Sequence, residues 1–259
     1  MNRQQFNDAM MQLSEPPDDT RPPFWDYWRH DLWMRGLSDD PREFEKWPCI
    51  YHTMLVNHWK PYIKLQYERI KHKPRLIAET HLPAYPLDRF EQTPYSLNLI
   101  HQAHHLAMLL DKTGTQIRRN KAIIEFGGGY GAMALLIRRL GMADNYYIID
   151  LPEFALLQQF YLSQMGVSER VTWNDAPSRC DIFIAAFSLS EVPVVRRDDI
   201  LDAHKARRYL FLYSDKFGGE NNIAYFQRHL PAHMPEVHFE HVSCDDFLPP
   251  GSFYTIGWR

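Results

Sequence analysis

Four of the chain's twelve glycines, Gly127, Gly128, Gly129 and Gly131, stand together after the apolar run Ala122-Ile123-Ile124-Glu125-Phe126. Glycine gathered at the end of a strand-like run lets backbone approach a ligand closely. The next run, Ala132-Met133-Ala134-Leu135-Leu136-Ile137, reads as a helix whose N-terminus would face that ligand. Gly127-x-Gly129-x-x-Ala132 fits a fingerprint that cradles a pyrophosphate. Glu125, two residues before the first glycine, argues for different chemistry. A carboxylate there attracts an ammonium or sulfonium and repels a diphosphate. Asp150 ends the next apolar run, Tyr146-Tyr147-Ile148-Ile149. Such an acid suits ribose hydroxyls with either ligand, although Asp is also a common helix N-cap. Leu151 and Pro152 follow, the proline placed where a helix tolerates a missing N–H.

These residues need a scaffold, and the pattern beyond residue 118 supplies one. Apolar strand runs alternate with helical runs. Strands are expected around 121–126, 145–149, 170–174, 181–187, 208–214, 237–242 and 252–258. Helices are expected near 130–140, 152–165, 196–206 and 221–230. The last two strands, joined through Pro249-Pro250-Gly251, read as a hairpin that adds an antiparallel edge to a parallel sheet. Sites in such sheets lie outside the carboxyl ends of the strands. That rule brings Glu125, Asp150, Asn174, Asp175, Ser188, Glu191 and Asp215 to one rim.

At this point a resemblance can be stated. Glu125-Phe-Gly-Gly-Gly-Tyr-Gly-Ala resembles motif I of the class I S-adenosylmethionine (SAM)-dependent methyltransferases. Together with Ile149-Asp150-Leu-Pro-Glu153, Tyr161-Leu162 and Phe187-Ser188-Leu189-Ser190-Glu191, it is similar to the sugar O-methyltransferase family over about the last 140 residues. The resemblance implies a Rossmann-like, seven-stranded α/β sheet, SAM as methyl donor, and a saccharide or other small hydroxylated acceptor. It assigns cofactor contacts to Glu125, Gly127, Gly128, Gly129, Gly131, Asp150, Leu151, Asn174, Asp175 and Ser188, with Asn174 and Asp175 beside the adenine. The acceptor's base is open among Glu191, Asp215 and His104. A divalent cation between Glu191 and Asp215 is conceivable on chemical grounds but is not expected. An NAD(P)-binding oxidoreductase and a non-catalytic, partner-binding module of the same fold stay as alternatives.

The segment before residue 118 differs in composition. It holds eleven of the eighteen prolines and five of the seven tryptophans. We expect residues 1–118 to form a mainly helical cap over the acceptor or a homodimer interface, and residues 119–259 to form the SAM-binding domain. Helices are expected from Phe24 to Trp33, across Trp47 to Ile70 with a break near Pro61, and from Pro94 to Leu110. Lys71 to Gln92, with Pro74, Pro83 and Pro86, reads as a loop. His101, His104 and His105 share one helical face, a solvated or core arrangement as readily as a catalytic one. The net charge of −3 gives no electrostatic footprint for nucleic acid. No apolar run reaches membrane-spanning length, and no signal-peptide core precedes the helices. Cys49, Cys180 and Cys244 are isolated and odd in number, so a reducing cytoplasm is the expected location.

Overall fold

A computed structural model describes residues 1–16, 25–81 and 89–259. Its centre is a seven-stranded sheet built from β1 (Asn120–Phe126), β2 (Ala143–Ile149), β3 (Val171–Trp173), β4 (Arg179–Ala186), β5 (Lys205–Ser214), β8 (His238–Ser243) and β9 (Ser252–Trp258). A two-stranded ribbon, β6 (Lys216–Phe217) with β7 (Glu220–Asn221), lies outside it. The order across the sheet is β3-β2-β1-β4-β5-β9-β8. β1 to β5 pair in parallel, whereas β9 runs antiparallel to both β5 and β8. Ile123, Ile124, Ile148, Ile182, Phe183 and Ile184 are fully buried, as expected of parallel strands covered on both faces. The seven strands and the closing hairpin stand where the alternation places them, each within a few residues.

The connections between strands are α7 (Ala132–Arg139), α8 (Pro152–Gln164) and α9 (Val194–Ala203). The helix expected over 221–230 is longer and irregular. It comprises Asn222–Ala224, a π turn at Tyr225–His229 and Leu230–His233. Before the sheet come α1 (Arg3–Met11), α2 (Trp25–Ser38), α3 (Pro48–Thr53), α4 (Lys60–Ile70), α5 (Pro74–Ala78) and α6 (Leu97–Thr113). Phe24, Pro83 and Pro86, which figure in the expected helix and loop, lie outside the described residues.

Three boundaries differ for local reasons. α6 starts at Leu97, because the Ser96 hydroxyl accepts the Leu99 N–H at 2.9 Å and caps the helix there. Pro94 stays in the extended segment before it. The break expected near Pro61 falls at 54–56 instead, and Pro61 sits in the first turn of α4. Asn98 of α6 explains the break: its side chain accepts the Val56 N–H at 3.0 Å and donates to the Met54 carbonyl at 3.2 Å. The expected loop 71–92 contains α5, which opens on Pro74.

The division near residue 118 is one of composition, not of packing. One hydrophobic cluster runs from Phe6, Met10 and Phe44 through Leu106 and Leu136 to Ile256. α1 lies on α8, where Phe6 meets Phe160 with ring centroids 5.4 Å apart. α6 packs on α4 and α7 and reaches β5 and β9. The helices before the sheet therefore finish its core rather than forming a body of their own. Phe6→Ala should cost about 3–5 kcal/mol, the usual penalty for emptying a buried phenylalanine site. Calorimetric unfolding should remain a single transition. A variant whose first 118 residues melt separately would contradict a shared core.

Candidate active site

β1 lies between β2 and β4, so the strand order reverses direction at its carboxyl end. This is the switch point at which open α/β sheets leave a crevice. The glycine turn fills one side of it. Gly127 takes a φ of 71°, and a Cβ there would overlap the Cβ of Ser188. Only glycine lets the ends of β1 and β4 come this close. Ser188 in turn donates its hydroxyl to the Phe126 carbonyl. Phe187, the residue after β4, holds a φ of 66°, an arrangement that costs a non-glycine residue roughly 1–3 kcal/mol. That bend turns Ser188–Glu191 into a short 3₁₀ segment directed at the crevice.

The crevice opens into a cavity of about 600 Å³, within the ordinary range for small-molecule sites. Glu125, Gly127, Gly128, Gly129, Asp150, Leu151, Ser188 and Glu191 all line it. Its other walls come from the segments before the sheet: Trp25 and Arg29 of α2, His52 to Val56, Trp59, and His101 and His105 of α6. Asn98 fixes part of this roof. Besides holding the 54–56 loop, its amide donates to the Tyr130 hydroxyl at 2.7 Å, tying the loop to the glycine turn. α2 is fastened by Arg29, which forms a bidentate pair with buried Glu153 at 3.1 Å, and by the Trp25 indole, which donates to Glu191 at 2.9 Å.

The acids of this cavity are short of positive charge. Arg29 is the one Lys or Arg among the described lining residues, and Glu153 and Asp26 already engage it. Burial pushes the Glu125 carboxyl up to about 8, although the Tyr146 hydroxyl donates to it at 2.8 Å. Burial likewise raises Asp150 to about 7, against hydrogen bonds from the Leu151 N–H and the Gln158 amide. Glu191 is raised to about 7 by burial, opposed by the Trp25 indole. Three carboxylates held in low dielectric without a counter-charge form an environment that favours a cation.

Several expected site residues lie elsewhere. Gly131 does not face the cavity; it caps the N-terminus of α7 with a φ of 103°, against Tyr161 and Leu162. Asn174 does not line the cavity either, but its side-chain oxygen accepts the Asp150 N–H at 2.9 Å and so fixes the end of β2. Neighbouring Asp175 is also outside the lining. Asp215 is displaced because β5 stands one strand beyond the switch point. Its N–H donates to the Gly251 carbonyl at 2.7 Å, and it shares no cavity with Glu191.

His104 is set apart from the cavity and lies against Phe247, ring centroids 4.9 Å apart. All three histidines of α6 are buried, and one chain of hydrogen bonds sets their tautomers. Gln66 donates its amide N–H to the Phe247 carbonyl at 2.7 Å, which leaves its oxygen to accept from His101 Nδ1 at 3.0 Å. His101 Nε2 must then accept from His105 Nε2, 3.0 Å away. His105 Nδ1 accepts from the Tyr254 hydroxyl, whose oxygen lies 3.3 Å from His104 Nδ1. The chain ends on His104 Nε2, which is buried and has no hydrogen-bond partner. Every ring is neutral in this arrangement. Burial accordingly pushes His101 and His104 down to about 3 and lowers His105 as well. The group is a hydrogen-bonded relay whose desolvated imidazoles are weak proton acceptors.

Sequence reasoning missed Trp25, Arg29, Trp59, Asn98 and Gln158. Gln158 donates to Asp150 at 2.6 Å and to the Gly129 carbonyl at 2.8 Å. A glutamine on the buried face of apolar α8 was the available signal. No family model and no curated protein sequence matches this chain. Among solved structures it is similar to an rRNA methylase from Streptococcus thermophilus, at 12% identity and a TM-score of 0.45, over 60% of this chain and 95% of that one. It is also similar to an S-adenosylmethionine-dependent methyltransferase from Clostridium acetobutylicum, at 6% identity and 0.43, over 60% and 89%. A ribosomal protein L11 methylase from Lactobacillus delbrueckii gives 10% and 0.43, over 62% and 79%.

The neutral histidines give a pH prediction. Unfolded imidazoles titrate near 6.5, so below that pH the unfolded chain binds protons that the folded rings refuse. Their contribution to stability is complete above pH 6.5 and is lost as pH falls toward 3. Glu125, Asp150 and Glu191 act in the opposite sense, so a single-site comparison isolates the effect. Between pH 6.5 and 4.5, the stability of His104→Phe should gain on wild type by up to about 1.4 kcal/mol per pH unit. Urea unfolding at several pH values measures this; a constant difference would mean that His104 is charged in the fold.

Proposed function

We propose that this protein is a SAM-dependent methyltransferase acting on a hydroxyl of a sugar or another small polar acceptor. The observation that carries the reading is the set of desolvated carboxylates, Glu125, Asp150 and Glu191, around a glycine turn at the switch point of the sheet. A pyrophosphate would add negative charge to a cavity already deficient in cations. A ligand bearing an ammonium and a sulfonium would supply what these acids lack.

The residues present fit such a ligand. Glu125 stands where a carboxylate can accept from an ammonium, and Asp150 at the end of β2 where one can accept from ribose hydroxyls. Gly127 and Gly129 keep side chains away from the approach of the backbone. When bound, SAM supplies an electrophilic methyl on a positively charged sulfur. The remaining steps belong to the chain. The cavity walls align the acceptor hydroxyl, and Trp59, Trp25 and Phe187 offer flat apolar surfaces of the kind that cover a sugar ring. Glu191, held by Trp25, takes the hydroxyl proton as the new carbon–oxygen bond forms and the carbon–sulfur bond breaks. A carboxyl raised to about 7 is suited to that task near neutral pH.

Calorimetry with S-adenosylhomocysteine, NAD and NADP tests the proposal. S-adenosylhomocysteine should bind and the nicotinamide cofactors should not. Binding near pH 6.5 should release protons as Glu125 and Asp150 ionise against the ligand, and affinity should rise from pH 6 to 8. Glu125→Gln should weaken binding about tenfold or more, the scale of a charge-assisted hydrogen bond. Once an acceptor is found, Glu191→Gln should leave cofactor binding intact and slow turnover about 10²–10⁴-fold. Tight binding of NAD or NADP would replace this reading with an oxidoreductase.

A further inference from the structure

On another part of the surface, α9 and the irregular helix 222–233 bring together donors that the cavity does not use. His229 and His233 lie four residues apart and present nearly parallel rings, with centroids 6.1 Å apart and 10° between planes. Asp198 of α9 faces them. Its Oδ2 is 2.7 Å from His229 Nε2 and 3.9 Å from His233 Nδ1. One ligand atom from each of the three residues falls within 4.8 Å of the others. We propose that Asp198, His229 and His233 form a site for a divalent transition-metal ion of the zinc type.

Three features favour a metal over a simple ion pair. The donor set of two imidazoles and one carboxylate is that of zinc-like ions and a poor one for magnesium or calcium. Asp198 is oriented from behind: the Tyr225 hydroxyl donates to its Oδ1 at 2.8 Å, which leaves Oδ2 toward the histidines. Such an outer contact fixes a metal-binding carboxylate. Thirdly, His233 turns Nδ1 toward Asp198 Oδ2 at 3.9 Å, too far for a hydrogen bond, while its Nε2 faces Asp202. The Asp202 oxygen is 3.5 Å from that nitrogen and adds negative charge to the cluster. His229 is the last residue of the π turn, whose i→i+5 hydrogen bonding widens the helix at that point.

Metal entry would replace the hydrogen bond between His229 and Asp198. The metal-bound imidazole carries its N–H on Nδ1 while Nε2 becomes the ligand. Water completes the coordination, since three protein donors leave a tetrahedral ion one open position. The ion would fasten α9 to helix 222–233. α9 also carries Arg197, whose guanidinium stacks on Tyr225 at 4.8 Å and donates to the carbonyls of Ser190 and Val192, on either side of Glu191. The site would thus brace the segment that brings Glu191 to the cavity, without touching the cavity itself.

The test is zinc titration of the chelator-treated full chain at pH 7.5 against a chromophoric competitor. Wild type should take up one ion with a Kd below about 10 µM, and zinc should raise its melting temperature by mass action. His229→Ala, His233→Ala and Asp198→Asn should each weaken that uptake about tenfold or more, the scale expected when a metal ligand or its support is lost. His229 is about half exposed, so its variant keeps the fold and remains informative. Zinc uptake weaker than the threshold, or uptake that His229→Ala and His233→Ala leave within tenfold, would overturn the site and reduce the cluster to an ion pair.

Discussion

The close approach of β1 and β4 at their carboxyl ends is the contact on which the cavity depends. Gly127 leaves no room for a side chain against Ser188, and the Ser188 hydroxyl closes the gap by bonding the Phe126 carbonyl. A larger residue would push the strands apart exactly where the sheet reverses its order. From this point the chain turns two ways. The glycine turn leads into α7, and the strained Phe187 leads into the segment carrying Glu191. Both sides of the cavity inherit their position from one backbone contact.

Burial then decides the chemistry of the titratable groups, in opposite senses for acids and bases. Glu125, Asp150 and Glu191 are raised toward neutrality because water is excluded and positive charge is scarce. His101, His104 and His105 are driven below their usual range by the same exclusion of water. The result is a cavity whose acids hold protons loosely near pH 7 and whose neighbouring imidazoles do not take them. The division of labour in the proposed reaction follows from this difference. It is why an acid at the end of β4, and no histidine of α6, is assigned the acceptor's proton.

The helices before the sheet are joined to it by polar contacts as well as by the shared hydrophobic core. Asn98 satisfies two backbone groups of the 54–56 break and the Tyr130 hydroxyl together. Arg29 reaches buried Glu153, and Trp25 reaches Glu191. Each ties a segment before the sheet to an element that carries or supports the site. Buried groups of this kind are expensive to leave unpaired, so they hold the roof in one arrangement over the crevice. Phe6 against Phe160 adds apolar weight on the neighbouring face of α8.

How much of this was readable from the chain follows from range. The strands after residue 118, the glycine turn and the acids Glu125 and Asp150 depend on local periodicity and on positions a few residues apart, and the sequence by itself determined them. Pro61 and Pro94 show where local reading falls short: the break went to 54–56 because Asn98, some forty residues away in sequence, pays for the open backbone there, and α6 began where Ser96 could cap it. Asn174 was legible as a polar turn residue, yet only the fold made it a brace for Asp150 instead of a wall of the cavity. Asp215 ended a strand like the others, but strand order placed that strand one step from the switch point. His104 shared a helical face with His101 and His105, and only packing against Phe247 and Tyr254 removed it from the cavity. The tertiary structure decided these cases because strand order, burial and long-range hydrogen bonds depend on groups far apart in the chain, which no local spacing encodes.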